Sequence, residues 1–165
     1  MIYIGIDPGQ NGGIAVITGA YTHAWPMPVF PKDERKERGG AIDWPAVSDI
    51  LEDWKDDSYC MLEKVWGMPG QGATSTFSFG GAYHGVLAIL QAREIEYDLV
   101  VPRNWKNAIM GERYSHDKDG AVLYAGDHHP SVNLILPRCR VPHDGMADAV
   151  CIAAYAAQEH SKRMP

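Results

Sequence analysis

The sequence predicts an α/β fold in one domain spanning residues 1–165, and three observations lead there. Three extended, turn-bounded segments open the chain. Two further extended segments follow, each leading into a helix-forming stretch. An Ala-rich helical segment lies near the C-terminus. At 165 residues and 45% hydrophobic content, such a chain buries about two-thirds of its unfolded surface in one core.

Met1 to Asp7 reads as a buried strand, Pro8 to Gly12 as a turn and Gly13 to Thr18 as its hairpin partner; Tyr21 to Val29 completes a meander. Pro31 to Gly40 is a charged surface loop in which Lys32, Arg35, Lys36 and Arg38 alternate with Asp33, Glu34 and Glu37. Asp43 caps a helix opening at Trp44-Pro45, with Val47, Ile50, Leu51 and Trp54 as its apolar stripe. Ser58 to Val65 is the fourth strand, and Gly67 to Gly72 a loop. Thr74 to Arg93 is a helix whose Gly80, Gly81 and Gly85 lower its helicity and imply a closely packed neighbour. Glu96 to Val101 is the fifth strand. Asn104 caps a short helix through Met110, Asp117 to Gly126 reads as helical, and Asp144 to His160 is the final helix.

No stretch approaches the ~20 apolar residues of a membrane span, and no signal-type segment opens the chain, so a cytoplasmic protein with no membrane partner is expected. Cys60, Cys139 and Cys151 lack the spacing of zinc sites or disulfide frameworks and read as reduced thiols, Cys60 and Cys151 in the core. The net charge of −6 argues against nonspecific attraction to nucleic acid; any affinity for it must come from placed cations and bound metal.

The chemistry lies in four carboxylates. Asp7 ends the first strand inside Gly5-Ile6-Asp7-Pro8-Gly9, where a glycine-rich bend lets a ligand approach the backbone. Two further readings of this turn stand beside that one: an Asp that stabilises its own bend, and a phosphate-binding turn of the actin-like kind. Glu63 ends an apolar strand; it is either a solvent-facing terminus or a buried acid in need of a partner. Lys64 cannot be that partner, because adjacent strand residues point to opposite faces. Asp144 and Asp148, spaced i and i+4, share one face at the start of the final helix, where the helix dipole favours negative charge. Asp144 also reads as an N-cap, His143 first as a turn residue and otherwise as a ligand or proton carrier, and His128-His129 as surface. If the acids meet, like charges raise one another's pKa and oppose folding, and a divalent cation removes that cost.

In order and spacing, these segments resemble the RuvC-type Holliday junction resolvases of the RNase H-like superfamily. The resemblance runs through Gly5 to Gly9, Glu63-Lys64-Val65-Trp66, Phe79 to Gly85, Trp105-Lys106 to Gly111, and Asp144 to Ala149. It implies a five-stranded mixed β-sheet flanked by α-helices on both faces, with the Asp7 and Glu63 strands adjacent and the last helix delivering its acids to them. Asp7, Glu63 and Asp148 match the family's acidic positions. Asp144 sits four before Asp148 where many bacterial members space these acids three apart, a spacing that resembles mitochondrial and phage-like relatives. A bacterial or phage-encoded source is implied.

The resemblance further implies a metal-dependent endonuclease that resolves four-way DNA junctions as a homodimer. Two Mg²⁺ ions, with Mn²⁺ as substitute, would be held by Asp7, Glu63, Asp144 and Asp148. Lys106, Lys118, Lys64 and Trp66 would contact DNA, Trp66 by stacking at the branch point; from the residues alone Trp66 reads equally as a core aromatic. The helix with Phe77, Gly80, Gly81, Gly85 and Leu87 is the candidate dimer contact, its small residues serving equally well to pack on the protein's own sheet. The alternatives are a broader flap or fork nuclease, a junction-binding protein without turnover, and an actin-like phosphotransferase.

Overall fold

The computed structural model describes residues 1–19, 21–31, 40–67, 70, 72–115 and 119–163. The charged segment 32–39, Lys118 and the predicted helix start at Asp117 therefore lie outside the described residues.

Strands β1 (Ile2–Asp7), β2 (Gly13–Ile17) and β3 (Thr22–Pro26) form the meander, followed by helix α1 (Trp44–Asp53) and strand β4 (Ser58–Glu63). Helix α2 (Ala73–Ala92), strand β5 (Glu96–Val100) and the short helix α3 (Pro102–Trp105) come next. A π-helical turn over Lys106–Met110 leads into α4 (Gly111–Ser115), α5 (Gly120–His128) and α6 (Asp144–Arg163). The sheet order is β3-β2-β1-β4-β5, antiparallel across the meander and parallel from β1 to β4 and from β4 to β5. This is the mixed five-stranded sheet expected.

Alternation along β1 and β4 sorts the layers. Ile4, Ile6, Cys60 and Leu62 pack on one face against α1 and α2, through Val47, Leu51, Val86 and Leu90. Tyr59 and Met61 point the other way, towards Cys151, Ile152 and Ala156 of α6 and Trp105 of α3. Helices thus cover both faces. The Ala-rich surface of α6 lets it lie directly on the sheet: a Cβ at Gly5 would sit 2.2 Å from both the Ala149 oxygen and the Ala153 nitrogen. Asp43 caps α1 as expected, its Oδ1 accepting from the Ala46 N–H at 3.2 Å.

Three expectations need correction. Asn104 does not cap a helix, because α3 starts at Pro102, whose fixed φ and missing N–H suit a first turn. Gly80 and Gly81 have no close neighbour, whereas a Cβ at Gly85 would meet the Trp44 ring at 2.3 Å, so only Gly85 marks tight packing. Asp144 is the first residue of α6 rather than its cap; the His143 Nδ1 accepts the Met146 N–H at 3.2 Å and takes that role.

Candidate active site

Asp7 and Glu63 close the parallel strands β1 and β4. The register pairs Ile6 with Leu62, so one step further sets Asp7 beside Glu63. By parity both carboxylates leave the sheet on the α6 side, opposite Ile6 and Leu62. The first turn of α6 rests on the β1–β2 turn: a Cβ at Gly145 would lie 2.1 Å from the Asn11 oxygen and 2.5 Å from the Gly12 Cα. That contact sets Asp148, half-buried, against the two strand acids, while Asp144 stays exposed.

The electrostatics show the gathering. Burial pushes the Glu63 carboxyl up to about 7; the Trp105 indole N–H and Lys106 oppose the rise, and the charges of Asp7 and Asp148 add to it. Asp148 is pushed up to about 6, chiefly by burial, with Lys106 opposing and Asp7 and Asp144 adding. Asp7 is raised by burial against the Gly9 N–H, Lys106 and His143, all of which favour its charge. Its Oδ1 accepts from the Gly9 N–H at 3.4 Å, so Asp7 also steadies its own turn.

Hard carboxylate oxygens that burial and mutual repulsion destabilise as anions are a donor set suited to Mg²⁺ or Mn²⁺. Among the described residues, no three His, Cys, Asp or Glu side chains already stand at ligand spacing, so a bound ion would have to draw these acids in by side-chain rotation. The donor chemistry fits, without a preformed cage.

Two neighbours of the acids take roles that the sequence does not fix. Trp105, fully buried, donates its indole N–H to Glu63 Oε1 at 2.8 Å. It resembles any core aromatic in sequence, and only its position after β5, across from Glu63, brings out its polar handle. His143 caps α6 and lies close enough to Asp7 to favour its charge. Lys106, at the start of the π-helical turn, stacks 5.1 Å over the Trp105 ring and favours the charged forms of Asp7, Glu63 and Asp148. Single π-helical turns recur at functional sites.

Asp7 and Glu63 line an open cleft of about 740 Å³, whose far wall is Thr74, Ser75, Ser78 and Phe79 of α2. A smaller hollow beside it is lined by Glu63, Lys64, Val65, Trp66 and Pro102. Trp66 is 50% exposed, so it is not a core aromatic, and Lys64 is exposed as well. The structure therefore gathers Asp7, Glu63, Asp148 and Lys106, with Asp144, Lys64 and Trp66 around the rim; Lys118 lies outside the described residues. The histidines His128 and His129 stand apart, His129 bonded to Thr22 through Nδ1 at 2.9 Å.

A pH dependence follows. A carboxylate whose folded pKa is raised makes the native state bind more protons than the unfolded one, so stability is present at low pH and lost as pH climbs through the raised value. Glu63 moves from 4.5 to about 7, equivalent to about 3 kcal/mol. The chelator-treated protein is therefore expected to lose melting temperature between pH 4.5 and 7.5 by more than Glu63→Gln does. Parallel thermal melts across that range check this; identical slopes would remove the buried-acid account.

Neither a protein-family model nor a curated protein sequence matches the chain. Solved structures do. The chain is similar to RuvC of T. thermophilus in complex with a Holliday junction substrate, at 20% identity and a TM-score of 0.69, over 99% of this chain and 96% of that one. It is similar to a second Thermus thermophilus RuvC structure at 22% identity and a TM-score of 0.62, over 97% of each chain. The fold is therefore the RNase H-like fold of RuvC across nearly the whole chain. Among the described residues, no helix is long and apolar enough to cross a membrane.

Proposed function

We propose that the protein is a metal-dependent, structure-selective DNA endonuclease that resolves four-way junctions by paired cuts. One observation carries this reading: Asp7, Glu63 and Asp148 are all raised by burial, Glu63 and Asp148 further by neighbouring acids, and they lie near the Lys106 charge where α6 meets the ends of adjacent parallel strands. The fold that holds them is one in which a RuvC has been captured on a Holliday junction.

Asp7, Glu63 and Asp148, with Asp144 at the rim, would hold Mg²⁺ or Mn²⁺. When bound, a pair of such ions supplies an activated water and stabilises the leaving oxygen of a phosphodiester. The chain's own residues do the rest. Trp105 fixes one oxygen of Glu63, which leaves the other free to face the cleft. Lys106, held over the Trp105 ring, places a positive charge where a phosphate must enter past the acids. Half-exposed Trp66 offers a stacking face to an unpaired base, a contact worth about 1–3 kcal/mol.

Two symmetric nicks call for two sites related by a two-fold axis. The outward stripe of α2, with Phe77 at 84% exposure and open Gly81, is the proposed contact between copies. Gly85 belongs to internal packing on Trp44, so a substitution there would not test it. Gly81→Arg is expected to shift sedimentation of the protein on junction DNA from dimer to monomer; an unchanged dimer would place the contact elsewhere.

The central test is cleavage of labelled junction, flap, fork and linear duplex with Mg²⁺, Mn²⁺ or chelator. Paired junction nicks that require metal support the proposal. Cutting that favours flaps would point to the broader nuclease, and no cutting of any DNA would sink both. Lys106→Met is expected to slow junction cleavage about 10²-fold, the effect of deleting one electrostatic donor, with little change in melting temperature. A wild-type rate would remove Lys106 from the reaction.

A further inference from the structure

The described cations divide by their surroundings. Lys55, Arg93, Arg113, Lys162 and Arg163 each reach a carboxylate at 2.6–2.8 Å. Among the described residues, Lys64, Arg103, Lys106, Arg138 and Arg140 form no ion pair, although the chain carries a net charge of −6. Lys64, Arg103 and Lys106 lie at the end of the sheet that bears Asp7 and Glu63, while Arg138 and Arg140 lie in the segment that runs into His143, which acts on Asp7. Lys64 follows β4, and Arg103 and Lys106 follow β5. Arg138 and Arg140 lie on the other side, because Leu134 and Leu136 just before them pack with Ala15 of β2 and Ala24 of β3. In an acidic protein, cations left unpaired on both sides of an acidic centre are placed for an anion that comes from outside.

The geometry of residues 135–142 supports this. The His143 N–H donates to the Leu134 oxygen at 2.8 Å, which pinches the segment at its base. The Cys139 N–H donates to the Leu136 oxygen at 2.9 Å, which turns it at the tip, and Pro137, Arg138, Cys139, Arg140 and Val141 are all exposed. Arg138 has φ of 67°, in the third position of this turn, where glycine is ordinarily preferred. A long cation thus occupies a place that local backbone chemistry would give to glycine. The base of the loop adjoins His143, which caps α6 and acts on Asp7.

We infer that the 135–142 loop is a second DNA-contacting arm, with Arg138 and Arg140 gripping backbone phosphates across the acids from Lys64 and Arg103. This rests on the nuclease reading above. Four residues from base to tip reach at most ~14 Å, and phosphates of one strand advance about 3.4 Å per nucleotide along the duplex axis, so the arm covers phosphates within about four nucleotides of the cut.

The chain supplies its own probe. Cys139 is exposed, while Cys60 and Cys151 are buried with thiols pushed far up by that burial, so an azidophenacyl bromide label goes to Cys139. On a labelled junction, photocrosslinks are expected within four nucleotides of the scissile phosphate. In parallel, the double variant Arg138→Gly/Arg140→Ala should lower the slope of log Kd against log salt by about 1.8. Its melting temperature should hold or rise, since glycine suits the φ at 138; a merely structural loop would not combine retained stability with weaker binding. Wild-type cutting together with an unchanged slope, or with crosslinks confined to distant positions, overturns the arm and leaves the nuclease intact. A wild-type protein that binds and cuts no DNA overturns both.

Discussion

Glu63→Gln is expected to abolish junction cleavage, by at least about 10³-fold, and at the same time to raise the melting temperature of the chelator-treated protein at pH 8. The two effects share one cause. Glu63 is ionised at that pH against burial and against the charges of Asp7 and Asp148, and holding it so costs about 3 kcal/mol of folding free energy. Gln keeps the shape and an oxygen for the Trp105 indole N–H while dropping the charge, so the fold gains what the site loses. Junction binding should survive, because the substitution also removes repulsion towards phosphate. Single-turnover cleavage, binding titrations and thermal melts separate these effects. A variant that cuts at the wild-type rate would end the proposal that Glu63 is a metal ligand, and one that melts lower would show that its carboxylate is not held at a cost.

Gly5→Ala is expected to be among the most damaging single-methyl changes in the molecule. The added carbon would lie 2.2 Å from the backbone of α6 at both Ala149 and Ala153, and backbone cannot swing aside as a side-chain tip can. Either β1 bends or α6 lifts, and both move Asp7 relative to Asp148. Overpacking of this kind costs about 3 kcal/mol or more, a loss of roughly 6–12 °C in a chain of this size. Gly81→Ala is the matched control: nothing lies within 4 Å of its added carbon, and a helix interior favours Ala over Gly by about 0.5–1 kcal/mol. Denaturant melts of the two variants should move in opposite directions. If Gly5→Ala melts like wild type, α6 does not lie on the sheet as closely as described.

Much of this was legible in the sequence because strand periodicity is local. The alternation through Ile4, Ile6 and Asp7, and through Cys60, Leu62 and Glu63, assigns each side chain to a face whatever packs there later. The i, i+4 spacing of Asp144 and Asp148 likewise survives into α6. What stayed hidden depended on partners distant in the chain. Trp105 gives no sign that it will donate to a carboxylate 42 residues away, because an indole N–H acquires meaning only from what faces it. Gly80, Gly81 and Gly85 look alike in sequence, yet only Gly85 has a ring against it, contributed by Trp44. Asn104 misled because its side chain is a good cap in general, while Pro102 two residues earlier suits a first turn better and moved the boundary. Trp66 could be core or surface by composition, and its exposure follows from the loop that carries it beyond the end of β4.

The seating of α6 on the β1–β2 turn also sets a timetable. Translation makes Asp7 long before Asp148, so no nascent chain that stops short of α6 holds the full acid set. On the proposed nuclease reading, a chain truncated ahead of α6 lacks Asp144 and Asp148 and is expected to cut no DNA. The same wiring makes the protein separable: residues before the 135–142 loop and residues after it, supplied as two polypeptides, would each lack part of the centre, and cutting would report their reunion.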